Sequence, residues 1–276
     1  MHPDLISIGP FTIHSYGLMI VIGYFAGLGI IRMRCERYEF QWPVAMDLSF
    51  YLLLFGVLGA KLLFWIIFPS DFIADMQLIV SNPREFLARF GGGFVFFGGL
   101  FAGAVVLYYY VRKYQLRLRQ TIDLLTPAVP FAHAFGRIGC FLAGCCYGKE
   151  CDLPWAVTFT DPKTLAPFGI PLHPTQLYES VFLFALTFFL LLLESRITRV
   201  QGRMLPTYVL SYTIWRVFVE LFRGDPRGTF LQTGITTTQA VAMIAAGLSI
   251  VAMIFLTRNE ALLDARHQNR IPGNSD

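Results

Sequence analysis

Seven stretches of the chain are apolar for long enough to cross the hydrocarbon layer of a bilayer, roughly 30 Å thick and spanned by about 20 helical residues. They run over 12–31, 46–68, 94–112, 122–145, 177–193, 204–222 and 236–256. Polar residues fall in the connections, so the pattern predicts an all-α polytopic membrane protein with about seven transmembrane helices. The fourth stretch is the least regular. Pro127, Pro130, Gly136, Gly139 and Gly144 interrupt it and release backbone groups that must be satisfied inside protein, so a cavity is expected there. Two connections are longer than the rest. Residues 71–89 read as an interfacial helix carrying Phe72, Ile79, Phe86 and Leu87 toward the acyl boundary. Trp155, Val157 and Phe159 alternate within 149–171, which predicts a short strand in a small outer head over 149–176.

Composition sharpens the class. Hydrophobic residues make up 55% of the 276, charged residues only 14%, and the mean hydropathy is +0.56. A soluble domain carries about 25% charged residues. The net charge of +4 is spread over connections rather than gathered on one face, which excludes a nucleic-acid footprint and leaves phospholipid headgroups as the expected contact. Arg32, Arg34 and Arg37 follow the first stretch where a cleavage pattern would stand, so that stretch reads as an uncleaved span. Connections on one side hold thirteen Lys and Arg, those on the other six, which places the N-terminus outside and the C-terminus in the cytoplasm. The chain reads as one integral membrane domain, with a mobile cytoplasmic tail over 257–276. No nucleotide-binding loop, soluble domain or internal repeat is found, and no cofactor or metal is called for.

Three basic residues are left over, Lys61, Arg137 and Arg216, and all three lie within apolar stretches. Each costs at least about 2.5–3.5 kcal/mol to place there, so each is expected to face a partner or a polar cavity. For Lys61 a structural ion pair competes with a functional role. On a helix Arg216, Glu220 and Arg223 follow at i, i+4 and i+7 and share a face, with Tyr212 one turn earlier. Two guanidinium groups exceed what Glu220 neutralises, and their planar forks suit a phosphate. Around Arg137, the segment 136–148 alternates small and large residues, letting a lipid or a helix approach the backbone; Gly99 and Gly103 repeat that spacing.

Cys140, Cys145, Cys146 and Cys151 fall within twelve positions on the expected outer side. Buried thiols in a helix interface, a disulfide involving Cys151, and metal or redox chemistry are competing readings; the spacing is not a paired C-x-x-C framework. Cys35 lies on the expected cytoplasmic side and should stay reduced.

Several blocks in order resemble the bacterial prolipoprotein diacylglyceryl transferases from the first span to the last: residues 15–19 (SYGLM), 59–61 (GAK), 91–93 with 98–100 (GGG, GGL), 136–148 from GRIG, 173–179 (HPTQLYE) and 216–223 (RVFVELFR). The resemblance implies an enzyme of the bacterial cytoplasmic membrane. It would move the diacylglyceryl group of phosphatidylglycerol onto the lipobox cysteine thiol of a prolipoprotein signal peptide, releasing glycerol 1-phosphate. A thiol that attacks a glycerol carbon needs a proton acceptor, and the departing phosphate needs cationic groups. By motif position Arg137 and Arg216 are assigned to the phosphate and leaving group. Tyr16 either orients a headgroup hydroxyl or anchors the interface. Glu220 would hold Arg216 or Arg223. Gly98, Gly99, Cys140, Gly148, Gln176, Glu179 and Arg223 are expected along the substrate, and His173 is either catalytic or structural.

This chain departs from the family pattern in two places. Phe97 stands where better-known members have histidine before the paired glycines, and Cys140, Ala143 and Cys145 stand where Asn, Asn and Glu are frequent. His173 or Glu220 is therefore expected to take the proton. The second functional reading is a paralogue that keeps the basic lipid cavity but acts as a non-catalytic phospholipid-binding or thiol-responsive membrane protein.

Overall fold

A computed structural model describes residues 3–8, 11–90, 92–225 and 236–268, and they divide into two compact units, residues 1–31 with 122–276 and residues 32–121. The architecture is mostly helical. Helices α1 (Ser15–Cys35), α2 (Trp42–Ile67), α5 (Phe96–Lys113), α8 (Thr175–Leu192), α10 (Met204–Glu220) and α11 (Thr237–Gln268) each fall on one of the apolar stretches. Four of them, α1, α2, α8 and α11 as far as Glu260, are long and apolar enough to cross a membrane. Large apolar side chains such as Phe25, Ile66, Phe101 and Ile244 stand exposed along the helices, as a lipid-facing surface requires.

The remaining stretch, 122–145, is not one helix. It divides into α6 (Leu118–Leu125) and α7 (Ala128–Ala143). Pro127 forces the break: it has no N–H to continue the ladder and restricts the residue before it, while as N-cap of α7 its missing donor costs nothing. Pro130 sits in the first turn, where an N–H has no intrahelical partner anyway. Gly144 closes α7 in the left-handed conformation (φ 73°).

Other differences are local. The first stretch was expected to be helical from residue 12, but β2 (Phe11–His14) pairs antiparallel with β1 (Asp4–Ile8), and the helix begins only at Ser15, whose backbone N–H and hydroxyl both donate to the Pro3 carbonyl. β-branched Thr12 and Ile13 suit a strand. The single helix over 71–89 is two, α3 (Pro69–Ser81) and α4 (Pro83–Phe90), separated before Pro83. In the outer head, β3 (Val157–Thr158) pairs with β4 (Pro171–Leu172), and Phe159, Ala166 and Leu172 form its small core. Lys163 Nζ reaches Asp4 at 2.7 Å and joins the head to the hairpin; this exposed hydrogen bond lowers the Asp4 pKa and raises that of Lys163. Beyond α8, α9 (Glu194–Ile197) leads into α10. Residues 257–268 of the expected tail continue α11, and 269–276 lie outside the described residues.

In the larger unit α8 is the most enclosed of the four apolar helices, with 44% of its span buried against 6% for α2. Leu183, Leu186 and Leu190 pack with Ala134, Met204 and Tyr208, and Ser180 Oγ donates to the Ala134 carbonyl at 3.0 Å. Asp123 on α6 accepts from the Gly202 and Met204 N–H groups at 2.6 and 3.0 Å and so fixes where α10 starts.

In the smaller unit α2 and α5 cross through glycine. A methyl on Gly98 would collide with the Gly59 carbonyl and Leu63 Cβ, and one on Gly99 would lie 2.7 Å from the Gly56 carbonyl. Gly98 and Gly99 are thus used in helix packing. Lys61 forms a structural pair: its ammonium lies 3.4 Å from Asp75 and donates to the Gly92 carbonyl at 3.0 Å, with the rings of Phe64, Trp65 and Phe94 5.2–5.6 Å away.

Candidate functional site

The larger unit carries a cluster of three buried arginines, positioned by α7, α8, α10 and the chain just beyond α10. On α7, Arg137 Nη2 lies 3.0 Å from Glu179 Oε2 of α8. Tyr212 of α10 donates to the other Glu179 oxygen at 2.8 Å, so one carboxylate holds three helices together. Arg216 pairs with Glu220 at 2.7 Å one turn on, and Thr236 Oγ1 donates to Glu220 at 3.0 Å. Arg216 also acts electrostatically on Glu179 and Tyr212, which joins the two pairs into one charged region.

Arg223 was expected on the same helix face as Arg216 and Glu220. The structure ends α10 at Glu220, so Arg223 leaves that face and forks onto Asp225 at 2.8 and 2.9 Å instead. A backbone lattice causes this. Lys149 N–H donates to the Phe222 carbonyl, Gly148 N–H to the His173 carbonyl, His173 N–H to the Lys149 carbonyl and Gly224 N–H to the Tyr147 carbonyl, all at 2.8–3.2 Å. The exits of α7 and α10 and the entry of α8 are thereby laced together. Gly148 sits in the centre, where any side chain would strike His173 and the Phe222 carbonyl. The lattice brings Arg223 within hydrogen-bonding reach of Cys146, which Arg137 also reaches.

Each arginine therefore has its own carboxylate, and the excess positive charge expected on the 216–223 face is balanced. What remains is donor capacity. Arg137 Nε and Arg223 Nη1 are buried without a hydrogen-bond partner among the described residues. A guanidinium offers five N–H groups and one carboxylate takes two, so the balance is available to a planar or tetrahedral oxyanion.

Tyr16 belongs to this region: its ring packs on Gly139, where an added methyl would meet Tyr16 Cδ2 at 3.0 Å, and Arg137, Cys140, Cys145 and Cys146 all act on its hydroxyl. Cys140 lies one turn from Arg137, with 3.8 Å between Nη1 and Sγ. The Gln176 amide N–H donates to the Cys145 carbonyl at 2.7 Å, while its Oε1 is buried without a hydrogen-bond partner among the described residues. His173 stands apart. Its Nδ1 meets the Tyr178 hydroxyl at 3.1 Å, its ring packs on Phe222, and it lines an apolar pocket with Trp155, Leu177 and Trp215.

Sequence reasoning missed His133. It sits four residues before Arg137 on the same face of α7, its Nε2 is 3.9 Å from Glu179 Oε1, and its ring lies edge-on to Tyr212 at 5.4 Å. About a third of the side chain is accessible. The i, i+4 spacing of His133 and Arg137 was the available signal.

Helices of this length and apolarity, around a buried arginine–carboxylate cluster, define a membrane protein that holds ion pairs among its helices. A family model described as prolipoprotein diacylglyceryl transferase matches residues 3–255. A Clostridium tetani protein named phosphatidylglycerol–prolipoprotein diacylglyceryl transferase is 38% identical over 250 residues, covering 91% of this chain and 96% of its own. A Clostridium perfringens protein with that name, numbered 2, is 34% identical over 217 residues, 79% of this chain and 81% of its own. One from Solidesulfovibrio magneticus is 33% identical over 256 residues, covering 91% and 93%. The chain belongs to the prolipoprotein diacylglyceryl transferase family.

Proposed function

We propose that the protein transfers the diacylglyceryl group of phosphatidylglycerol to the lipobox cysteine of a prolipoprotein, with release of glycerol 1-phosphate, in the bacterial cytoplasmic membrane. The observation that carries this reading is the set of three buried arginines whose carboxylates leave guanidinium donors unspent at Arg137 and Arg223. In the reaction the thiol sulfur bonds to the glycerol carbon that bears the phosphodiester, the carbon–oxygen bond breaks, and the phosphate keeps the electron pair. Arg137 and Arg216 are assigned to the charge that develops on that phosphate, Arg223 and Tyr16 to the headgroup.

Proton acceptance is assigned to His133 rather than to His173 or Glu220. Glu220 is committed to Arg216 and Thr236, and His173 to Tyr178, whereas His133 is partly accessible beside Glu179. A carboxylate next to an imidazole orients it toward the proton it is to accept. Seven spans with the N-terminus outside fit the helix positions and the uneven distribution of Lys and Arg. That orientation puts the 149–176 head and the lattice around Gly148 on the outer side, where a secreted preprotein emerges.

The test is reconstitution of the full chain in phosphatidylglycerol vesicles with a lipobox peptide. The expected result is a peptide heavier by one diacylglyceryl group, with glycerol phosphate released one for one. A correctly inserted chain that yields neither product would overturn the assignment.

A further inference from the structure

The transferase chemistry makes no use of Cys140, Cys145 and Cys146 as a group, yet the fold gathers them. Their three sulfur atoms lie within 4.8 Å of one another, and all three thiols are free. The gathering is built. Gly144 ends α7 in the left-handed conformation and Cys146 takes the same one (φ 61°), a costly choice for a residue with a side chain, so the chain doubles back over Cys140. Two buried residues at the start of α8 then hold the turn: Gln176 donates to the Cys145 carbonyl at 2.7 Å and Thr175 to the Cys146 carbonyl at 2.9 Å. Two guanidinium groups border the cluster: Arg137 lies 3.8 Å from the Cys140 sulfur, and Arg223 stands within hydrogen-bonding reach of Cys146.

We propose that Cys140, Cys145 and Cys146 form a trigonal three-thiolate site for a soft, thiophilic metal cation of the Cu(I) or Cd(II) class. Three sulfurs about 2.3 Å from a central ion stand about 4.0 Å apart, so the observed cluster needs only small side-chain adjustments. A disulfide is a poorer fit. It uses two sulfurs and strands the third, and adjacent Cys145 and Cys146, with Cα atoms about 3.8 Å apart, fall short of the roughly 4.4–6.8 Å a disulfide spans. Among the described residues no histidine or carboxylate completes a fourth corner, which favours ions content with three sulfurs over tetrahedral zinc. The two arginines offset the negative charge that three thiolates leave around such an ion. Binding at this site does not depend on the transferase reading.

The full-length chain, reduced and solubilised in detergent under argon, is to be titrated with Cd(II). A sulfur-to-metal charge-transfer absorption saturating at one ion per chain is expected, unaffected by excess Mg(II), which prefers oxygen ligands. Cys140→Ala, Cys145→Ala and Cys146→Ala should each weaken binding at least about 100-fold, the upper end of what loss of an outer-shell partner costs. The double variant Cys35→Ala/Cys151→Ala should bind like the parent. Where a single variant misfolds, alkylation of the parent chain decides, with Cd(II) expected to protect Cys140, Cys145 and Cys146 together. Absorption that survives Cys145→Ala, binding lost with Cys35 and Cys151, protection of only two thiols, or isolation of two of the three as a disulfide under reducing conditions would overturn the proposal.

Discussion

Lys61 in the smaller unit and Arg137 in the larger one look alike in sequence, each a lone cation in an apolar stretch, but the structure treats them oppositely. The Lys61 ammonium is enclosed by Asp75, the Gly92 carbonyl and three aromatic rings, in a compact arrangement that suits a point charge. Arg137 has one carboxylate and the sulfurs of Cys140 and Cys146 for five N–H groups, and its Nε is buried without a partner among the described residues. Burial of charge therefore does not by itself mark a functional site. Unspent hydrogen-bonding capacity beside that charge is the better criterion.

The largest effect on turnover should come from Arg137. Arg137→Ala removes a donor aimed at the developing phosphate charge, and thioether formation is expected to fall about 100- to 1,000-fold. The same change strands Glu179, so Arg137→Gln/Glu179→Gln is the cleaner variant: stability should return toward the parent in thermal unfolding while turnover stays low. Recovery of turnover with stability would place Arg137 with Lys61 as a structural ion. His133→Gln is next, at about 100-fold, the lower end of what a general base contributes. Its signature is loss of the acidic limb of the pH–rate profile; a parallel drop at every pH would reduce His133 to a support for Glu179.

Much of this was legible beforehand, and the misses share a cause. Apolar runs located the helices because lipid imposes a length and a composition on each span. The intramembrane arginines stood out because charge there is costly. Partners across helices were not legible: that Glu179 would take Arg137 and Tyr212 depends on how α7, α8 and α10 cross. Gln176 illustrates the limit. It lies in a conspicuous motif, yet its amide holds a backbone carbonyl, a use that leaves no pattern in sequence. The departure of Arg223 from its helix face goes with the hydrogen bonds that tie Phe222 to Lys149 and Gly224 to Tyr147, residues more than seventy positions earlier. The reach of Arg223 to Cys146, and with it the thiol cluster, rests on the same lattice.

Lys61 supplies the other side of the contrast. Lys61→Met leaves Asp75 uncompensated and should cost about 3–5 kcal/mol of stability, whereas Lys61→Met/Asp75→Leu removes both charges and should recover most of it. Turnover per folded molecule is expected to stay near that of the parent in the double variant. A stable double variant without activity would show that enclosure of a charge does not rule out function, and the criterion drawn from Arg137 would fail.

The smallest effect is expected at Phe97, the position at which the family resemblance leads one to expect a histidine. Phe97 is half exposed on α5 and faces an apolar groove shared with Phe55, Leu62 and Phe101. A histidine there has no carboxylate in that lining to orient it, whereas His133 has Glu179 at 3.9 Å. If His133 accepts the proton, Phe97→His adds a second, unsupported imidazole. Turnover should then change by less than about twofold, the usual scale of an exposed substitution. A gain approaching the 100-fold or more that a positioned base contributes would instead return proton acceptance to position 97. His133→Gln in the Phe97→His background separates the cases: activity stays low if the acceptor is on α7, and is rescued if it is on α5.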